Sequence, residues 1–196
     1  TTISGFYENA GGLVGDINRG QIKESFAEGI IDNQSGRNKG GLIGMIRGSS
    51  ATDSASLENS YAHVNVTGDI RVGSLIGHLQ NAYTTISNSY STGSVHHSTP
   101  GGGAIGYYSS NTASSVYYDN QTDAPPNDNV SATPATTAQL QQTQDNTTAI
   151  FSGWDFVNVW DPMTPCEYPR LRWEKASYSP CCLLYTSPSP RDLRKS

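Results

Sequence analysis

The stretch Gly11-Gly-Leu-Val-Gly15 decides the fold, because it recurs three more times along the 196-residue chain. The other copies are Gly40-Gly-Leu-Ile-Gly44, Gly73-Ser-Leu-Ile-Gly77 and Gly102-Gly-Ala-Ile-Gly106, and the starts are separated by 29, 33 and 29 residues. A period of this length is typical of solenoids, in which each repeat stacks on its neighbours. The longer middle interval coincides with a Ser- and Thr-rich insertion at residues 49–56.

A second element follows each copy, with the pattern apolar, two residues, Ser or Val, aromatic. It reads Ile22-Lys-Glu-Ser-Phe26, Leu57-Glu-Asn-Ser-Tyr61, Ile86-Ser-Asn-Ser-Tyr90 and Ala113-Ser-Ser-Val-Tyr117. Ile3-Ser-Gly-Phe-Tyr7 fits the same pattern, so we expect an earlier unit upstream. Apolar residues alternate in these elements, and Gly and β-branched residues disfavour helix, so the elements are predicted to be strands.

Stacking of these strands predicts an all-β fold, a repetitive parallel β-solenoid similar to a β-helix, over residues 1–122. Parallel ladders between successive units would cover both faces of each strand, which one unit alone cannot do. The paired glycines are expected at corners, where a positive φ or a close approach of the backbone excludes larger side chains. The units start near residues 11, 40, 73 and 102, and the motif positions are Gly11, Gly12, Leu13, Val14, Gly15, Gly40, Gly41, Leu42, Ile43, Gly44, Gly73, Leu75, Ile76, Gly77, Gly102, Gly103, Ile105 and Gly106. The expected aromatic ladder consists of Phe26, Tyr61, Tyr90 and Tyr117.

The repeated units resemble the GLUG motif, and the resemblance covers about residues 3–120. This motif is found in bacterial surface proteins, including adhesins and some immunoglobulin A peptidases. The resemblance implies an extracellular or cell-surface location in a bacterium, and it implies no particular chemistry.

The segment after the repeats loses their periodicity. Residues 123–149 are rich in Pro, Asn, Thr and Gln and are predicted to be a linker. Thr136 and Gln139 match a capping box, which predicts one short helix within it. Residues 175–196 are predicted to be a disordered tail, in which residues 182–196 resemble translated sequencing-adapter DNA rather than native protein.

Residues 150–174 concentrate aromatic side chains and are predicted to form a small capping module. We expect them to close the open end of the solenoid, which otherwise exposes apolar surface and unpaired backbone. The alternative is a carbohydrate-binding platform, because exposed Trp and Tyr rings can stack on sugars. The residues assigned to either role are Trp154, Phe156, Trp160, Tyr168 and Trp173.

The charge balance disfavours several partners. The chain has 12 basic and 17 acidic residues, a net charge of -5, and excluding the adapter-like tail changes it to -7. Nucleic-acid binding needs clustered Lys and Arg, so no nucleic-acid partner is expected. No apolar run approaches the roughly 18 residues of a membrane-spanning helix, so direct membrane insertion is not expected. Cys166 is the one cysteine outside the region of the tail, so no disulfide framework or zinc spacing is predicted.

Nothing in the sequence predicts catalysis, and no cofactor or metal is expected. The histidines occupy inequivalent repeat positions and are expected in surface or loop roles: His63, His78, His96 and His97. No Gly-x-Ser-x-Gly motif supports a nucleophilic serine. The oxygen-rich segment from Asp119 to Asn129 is the one candidate for calcium, and turn formation is the favoured interpretation of it.

These observations favour a non-catalytic structural or adhesive repeat region of a secreted or surface protein. Its partner would be a host or matrix protein or a glycan, contacted weakly at many points. Two alternatives remain: a display or spacer region of a larger extracellular peptidase or carbohydrate-active enzyme, and a glycan-binding module.

Overall fold

The computed structural model describes residues 2–5, 8–32, 35–80, 82–98, 101–109, 112–123, 132–141, 150–161 and 166–174. Within them the chain forms seventeen strands, one short helix and one turn of 3-10 helix. The strands are β1 (Thr2–Ile3), β2 (Ala10–Gly11), β3 (Val14–Ile17), β4 (Gly20–Lys23), β5 (Phe26–Asp32), β6 (Arg37–Gly40), β7 (Ile43–Arg47), β8 (Ala55–Glu58), β9 (Tyr61–Thr67), β10 (Ile70–Gly73), β11 (Ile76–Gln80), β12 (Thr84–Ser91), β13 (Val95–His96), β14 (Gly101–Gly102), β15 (Ile105–Tyr108), β16 (Thr112–Asp119) and β17 (Ala132–Ala135). Helix α1 is Thr137–Leu140, and the 3-10 turn is Arg172–Glu174.

Three parallel sheets run along the repeats, which confirms the prediction of an all-β parallel solenoid. The first sheet has the order β14-β10-β6-β2, and the second has the order β15-β11-β7-β3. The third follows β1-β5-β9-β12-β16-β17, with β4, β8 and β13 paired alongside this path. We call each repeated unit a coil of the solenoid. Each coil contributes strands to all three sheets before the next coil begins.

The Gly-Gly-Leu-Val-Gly copies lie in register, one above the other. Val14 pairs with Ile43, Ile43 with Ile76, and Ile76 with Ile105. The interior between the three sheets is a continuous aliphatic core, and several of its side chains are fully buried: Leu42, Leu57, Val66, Leu75 and Ile76. Burial of such side chains stabilises the fold by about 1.5–3 kcal/mol each.

Close packing between coils explains the paired glycines. A Cβ on Gly11 would lie 2.6 Å from the carbonyl oxygen of Leu42 and 2.7 Å from the amide nitrogen of Gly44. None of the motif glycines has a positive φ. Of the two reasons considered from the sequence, close approach of the backbone is therefore the one that applies.

The second element of each repeat is bent rather than straight, which the sequence pattern did not predict. Its third residue has a positive φ in every coil: Glu24 at 45°, Asn59 at 48°, Asn88 at 46° and Ser115 at 53°. The strands on both sides of the bend stay in register, as with Leu57 and Ile86 before it and Tyr61 and Tyr90 after it. The left-handed residue thus forms a corner of each coil between these two strand segments.

The serine of the second element joins neighbouring coils at this corner. The backbone N–H of Ser25 donates to Ser60 Oγ at 3.2 Å, and the N–H of Ser60 donates to Ser89 Oγ at the same distance. Each of these two acceptor hydroxyls also donates to a carbonyl of its own coil, Ser60 to Glu58 and Ser89 to Ser87. The Ser in the repeat pattern therefore has a structural role.

We expect the Ser60→Ala substitution to lower the free energy of unfolding by about 1–2 kcal/mol, because it leaves the Ser25 amide and the Glu58 carbonyl without this partner. Urea denaturation followed by circular dichroism measures the change. Ser25→Ala is the matched control, since Ser25 Oγ donates to the exposed Lys23 carbonyl of its own coil. Equal losses in both variants would contradict the role of the hydroxyl between coils.

Two interpretations of the sequence need correction. Thr2 and Ile3 pair with Ile30 and Ile31, so β1 corresponds to the later part of β5, which follows the second element, and Ile3 does not take the position of Ile22. Residues 132–135, which were assigned to the linker, form β17 and pair with residues 116–119 of β16. They carry on the ladder of the last coil although Pro134 interrupts their strand pattern.

The short helix α1 lies in the same region. Thr136 is its N-cap, and the side chains of Thr136 and Gln139 make the capping box that the sequence predicts. The insertion of the second coil forms a loop between β7 and β8 that contacts the first coil through an ion pair of 3.0 Å between Arg19 and Asp53. The insertion therefore leaves the stacking of the coils unbroken.

Candidate functional site

The aromatic residues of the second element form a ladder on the outside of the third sheet. The rings of Phe26 and Tyr61 stack with centroids 5.0 Å apart and planes 8° apart. Tyr61 and Tyr90 stack at 5.2 Å and 16°. Tyr117 pairs with Tyr90 in the strand register and completes the ladder. The structure thus brings together all four residues that the sequence assigned to it.

Residues 150–161 and 166–174, which we call the strap, lie across this ladder. Its buried side chains form a second apolar cluster, separate from the aliphatic core, with Tyr61 and Tyr90. Trp160 is fully buried, and its ring centroid lies 6.3 Å from that of Tyr61 and 6.1 Å from that of Tyr90. The Trp154 ring centroid lies 4.5 Å from that of Trp160. Phe156 is half-buried and stacks on Trp154 at 6.5 Å.

Hydrogen bonds attach the strap to all four coils. The Tyr117 hydroxyl of the fourth coil donates to the Ile150 carbonyl, and the Tyr90 hydroxyl of the third donates to the Pro169 carbonyl at 2.6 Å. The Tyr61 hydroxyl of the second coil donates to Glu174 Oε2 at 2.7 Å. In the first coil, the Glu24 carbonyl accepts the indole N–H of Trp173 at 2.9 Å.

The strap therefore lies along the side of the solenoid, whereas the sequence places it at the open end, and its apolar cluster reaches that end through Ala135 and Leu140. The reason is the ladder itself, which presents a row of aromatic rings along every coil. The interpretation as a glycan platform also fails for two of its residues, because Trp154 is 6% exposed and Trp160 is 0% exposed. Trp173 is 54% exposed, although its ring contacts Phe26 at a centroid distance of 5.7 Å.

A buried carboxylate fixes the strap to the last coil. Asp119 is 1% exposed, and its Oδ2 accepts hydrogen bonds from the hydroxyls of Tyr168 at 2.7 Å and Thr137 at 2.6 Å. Its Oδ1 accepts the backbone N–H of Gln121 at 2.9 Å. Burial and the bond to Asp119 raise the pKa of Tyr168 to about 12. The carboxylate that was considered as a calcium ligand therefore has structural partners.

Of the rest of that calcium candidate, Asn120 donates its backbone N–H to the Ala135 carbonyl and Asp123 lies 3.7 Å from His96, whereas residues 124–129 lie outside the described residues. Within the described part of the chain, no group of three or more His, Cys, Asp and Glu side chains is arranged to hold a metal ion. The helices of the described residues, four and three residues long, are too short to cross a lipid bilayer.

The position of His63 differs from the surface role expected of it, because it lies between the ladder and the strap. Its Nε2 is 3.0 Å from the Tyr90 hydroxyl oxygen, and its ring lies 5.4 Å from that of Tyr168. The Tyr90 proton is directed to the Pro169 carbonyl, so Nε2 of neutral His63 is the donor. Glu28 faces Nδ1 at 3.7 Å but is largely exposed. Burial, reinforced by the positive charge of Arg170, lowers the pKa of His63 from 6.5 to about 4.

His78 is also more buried than expected. It occupies the register position of Asp16, Met45 and Tyr107, as the repeat predicts, but it is only 5% exposed. Arg71 lies beside it, with Nη1 3.3 Å from Nδ1, and also stacks over the Tyr107 ring. Burial and the charges of Arg71 and Arg47 lower its pKa to about 4. His96 is exposed and His97 is half-buried.

We expect acid to destabilise the protein between about pH 6.5 and pH 4. In this window the unfolded chain binds protons on His63 and His78 that the folded chain excludes, so stability falls as the pH falls. The loss should be on the order of 2 kcal/mol, and His63→Gln should reduce it. Denaturation midpoints measured across this range test the expectation, with His96→Gln as the exposed control. A His63→Gln profile as steep as that of the unmodified chain would contradict it.

This geometry defines the class of protein, a parallel β-solenoid closed along one side by an aromatic strap. A family model of the GLUG motif matches residues 68–95, which include the glycine motif and the second element of the third coil. The other three units repeat that coil in register, and together with the match they support a GLUG-motif repeat protein. No curated protein and no solved structure matches the chain at a significant level. The GLUG motif is a repeat-type motif of extracellular proteins, consistent with a structural region.

Proposed function

We propose that this chain is a non-catalytic structural region of a secreted or cell-surface bacterial protein. The observation that supports it is the strap, which is attached to each of four stacked coils and so restrains their relative motion. Coils paired at about 4.8 Å make a segment whose length is set by the number of repeats. Such a segment suits a spacer that holds neighbouring parts of a protein at a fixed distance.

The partners of the reactive groups support the non-catalytic part of the proposal. The Asp16 carboxylate lies 3.2 Å from the Arg47 guanidinium, and Asp53 pairs with Arg19. Asp119 binds the strap, and His63 packs between aromatic rings. Asp16 and Asp53 line a surface space of about 480 Å³ together with Arg19, and their ion pairs there, like the hydrogen bonds of Asp119, are consistent with structural roles.

Adhesion is the second candidate, and the two exposed tyrosines of β15, one on each face of the strand, favour it. Tyr107 is 39% exposed and Tyr108 is 37% exposed, and the Arg71 guanidinium carbon lies 4.8 Å from the Tyr107 ring centroid. Exposed Tyr with a neighbouring Arg is a composition common at protein interfaces. A host or matrix protein or a glycan could be contacted here weakly, with strength gained from many copies. Display beside a peptidase or a carbohydrate-active enzyme is compatible with the same spacer role.

A binding panel of matrix proteins and glycans, probed with the purified chain, separates these functions. Saturable binding that is weakened in the Tyr107→Ala/Tyr108→Ala variant would support adhesion, and Tyr83→Ala is the control with a similarly exposed ring. Absence of binding across the panel would leave the spacer alone. Turnover of any glycan or peptide on the panel would overturn the non-catalytic proposal.

A further inference from the structure

Arg71 differs from the other arginines of the coils in its partners. Arg19, Arg37 and Arg47 pair with carboxylates at 3.0, 3.9 and 3.2 Å. Among the residues that the structure describes, Arg71 has no carboxylate partner, and its Nη1 lies 3.3 Å from Nδ1 of His78. The third coil therefore carries a guanidinium charge that no described carboxylate neutralises.

Most hydrogen-bond donors of Arg71 are also unused. A guanidinium has five N–H groups and no acceptor, so His78 Nδ1 accepts one of them and the His78 proton lies on Nε2. The guanidinium of Arg47, in the neighbouring coil, donates through all three of its nitrogens to acceptors in the first and second coils. In the described part of the chain Arg71 donates through one nitrogen, so its other N–H groups are left for a ligand.

Neighbouring groups hold the Arg71 guanidinium in place. Its carbon lies 4.8 Å from the centroid of the Tyr107 ring, which is a cation–π distance. The Tyr107 ring lies 5.3 Å from that of His78, which is 5% exposed. The backbone of Arg71 has a φ of 60°, close to the 58° of Asn38 at the same register position. A guanidinium restrained in this way loses little conformational entropy when a ligand binds.

The free donors and the exposed ring together indicate the chemistry of a ligand. A guanidinium binds a carboxylate through two parallel N–H···O bonds, which the free N–H groups of Arg71 allow. Tyr107 is 39% exposed, and the apolar face of a sugar ring can pack on an exposed aromatic ring. A polyanion such as nucleic acid is disfavoured, because the chain has a net charge of -5 and one unpaired arginine does not make a basic surface.

We propose that Arg71 and Tyr107 form a binding site for a carboxylate-bearing sugar, such as a uronic or sialic acid. Arg71 binds the carboxylate through two N–H groups, and Tyr107 packs against the sugar ring. The site rests on the adhesive function proposed as the second candidate, and it assigns the class of ligand and the residue that recognises its charge. One such contact is weak, so binding to a surface depends on many copies.

Titration of the full chain with glucuronic acid, followed by two-dimensional NMR, tests the site. The ring resonances of His78 and Tyr107 should shift saturably, whereas glucose, which lacks the carboxylate, should shift them much less. Arg71→Gln should weaken binding about tenfold or more. Arg71→Lys should also weaken it, because lysine keeps the charge but not the planar pair of donors. Arg19→Gln is the matched control, since Arg19 already pairs with Asp53, and its affinity should be unchanged.

A second pair of variants separates the ring from the charge. Tyr107→Ala should weaken binding of glucuronic acid, and Tyr107→Phe, which keeps the ring, should restore it. Equal affinity of Arg71→Gln and the unmodified chain, or equal affinity for glucose and glucuronic acid, would overturn the site and leave adhesion through another surface standing. Tighter binding of an Asp- and Glu-rich peptide at Arg71 would assign the site to an acidic protein and overturn the sugar. Absence of binding to every sugar and protein on the panel would overturn both the site and the adhesive function.

Discussion

Replacing Gly73 by Ala should destabilise the solenoid by about 3 kcal/mol, because the new methyl group meets backbone atoms that no rotamer change can move. A Cβ on Gly73 would lie 2.6 Å from both the Ala104 carbonyl oxygen and the Gly106 amide nitrogen. Both atoms belong to the next coil, and the Ile76 carbonyl oxygen of the same coil lies closer still, so relief requires backbone to move both within and between the coils. The free energy of unfolding from urea titration measures the loss, which should be accompanied by weaker amide protection in the second sheet.

Gly153→Ala is the matched control for this substitution. Gly153 has a φ of 87°, and no atom lies within 4 Å of the position that a methyl group would take there, so its replacement tests the conformational preference of glycine without a packing clash. We expect a loss of about 1 kcal/mol at this site. A Gly73→Ala variant that is no less stable than Gly153→Ala would show that the coils are not held as closely as described.

The register of the coils was predictable because each motif specifies one local unit and stacking then follows from repetition. The 29-residue separation of Tyr61 and Tyr90 is enough to place their rings together once parallel coils are assumed. The positive φ at the corner of each coil could also be predicted in part from the sequence. Asn is enriched in the left-handed region, and it occupies that region at Asn59 and Asn88. Glu24 takes the same left-handed conformation although Glu has no preference for it. The stacking of the neighbouring coils therefore imposes this conformation on Glu24.

The position of the strap could not be predicted from local pattern. Its bonds connect residues far apart in the chain, such as Tyr61 with Glu174 and Trp173 with Glu24, and nothing in the spacing of its aromatic residues specifies a partner. The burial of His63 follows from the same long-range packing. β17 was missed for a different reason, since Pro134 argues against a strand except at an edge, which is where this strand lies.

The Trp160→Ala substitution should lower the free energy of unfolding by about 4 kcal/mol. Trp160 is fully buried, and its ring packs against Trp154 and against the Tyr61 and Tyr90 rings of two coils. Removing it leaves a cavity between the strap and the ladder that the stacked tyrosines cannot fill. Near-ultraviolet circular dichroism should lose intensity in the aromatic region at the same time, while the far-ultraviolet signal of the three sheets persists.

Trp173→Ala gives the comparison within the same strap. Its ring is half exposed, so the loss should be limited to about 1 kcal/mol from the hydrogen bond to the Glu24 carbonyl and partial contact with Phe26. Limited proteolysis then distinguishes local from global effects. Trp160→Ala should release residues 150–174 to protease before the coils are cut, whereas simultaneous cleavage of strap and coils would mean that the ladder depends on the strap for its own stacking.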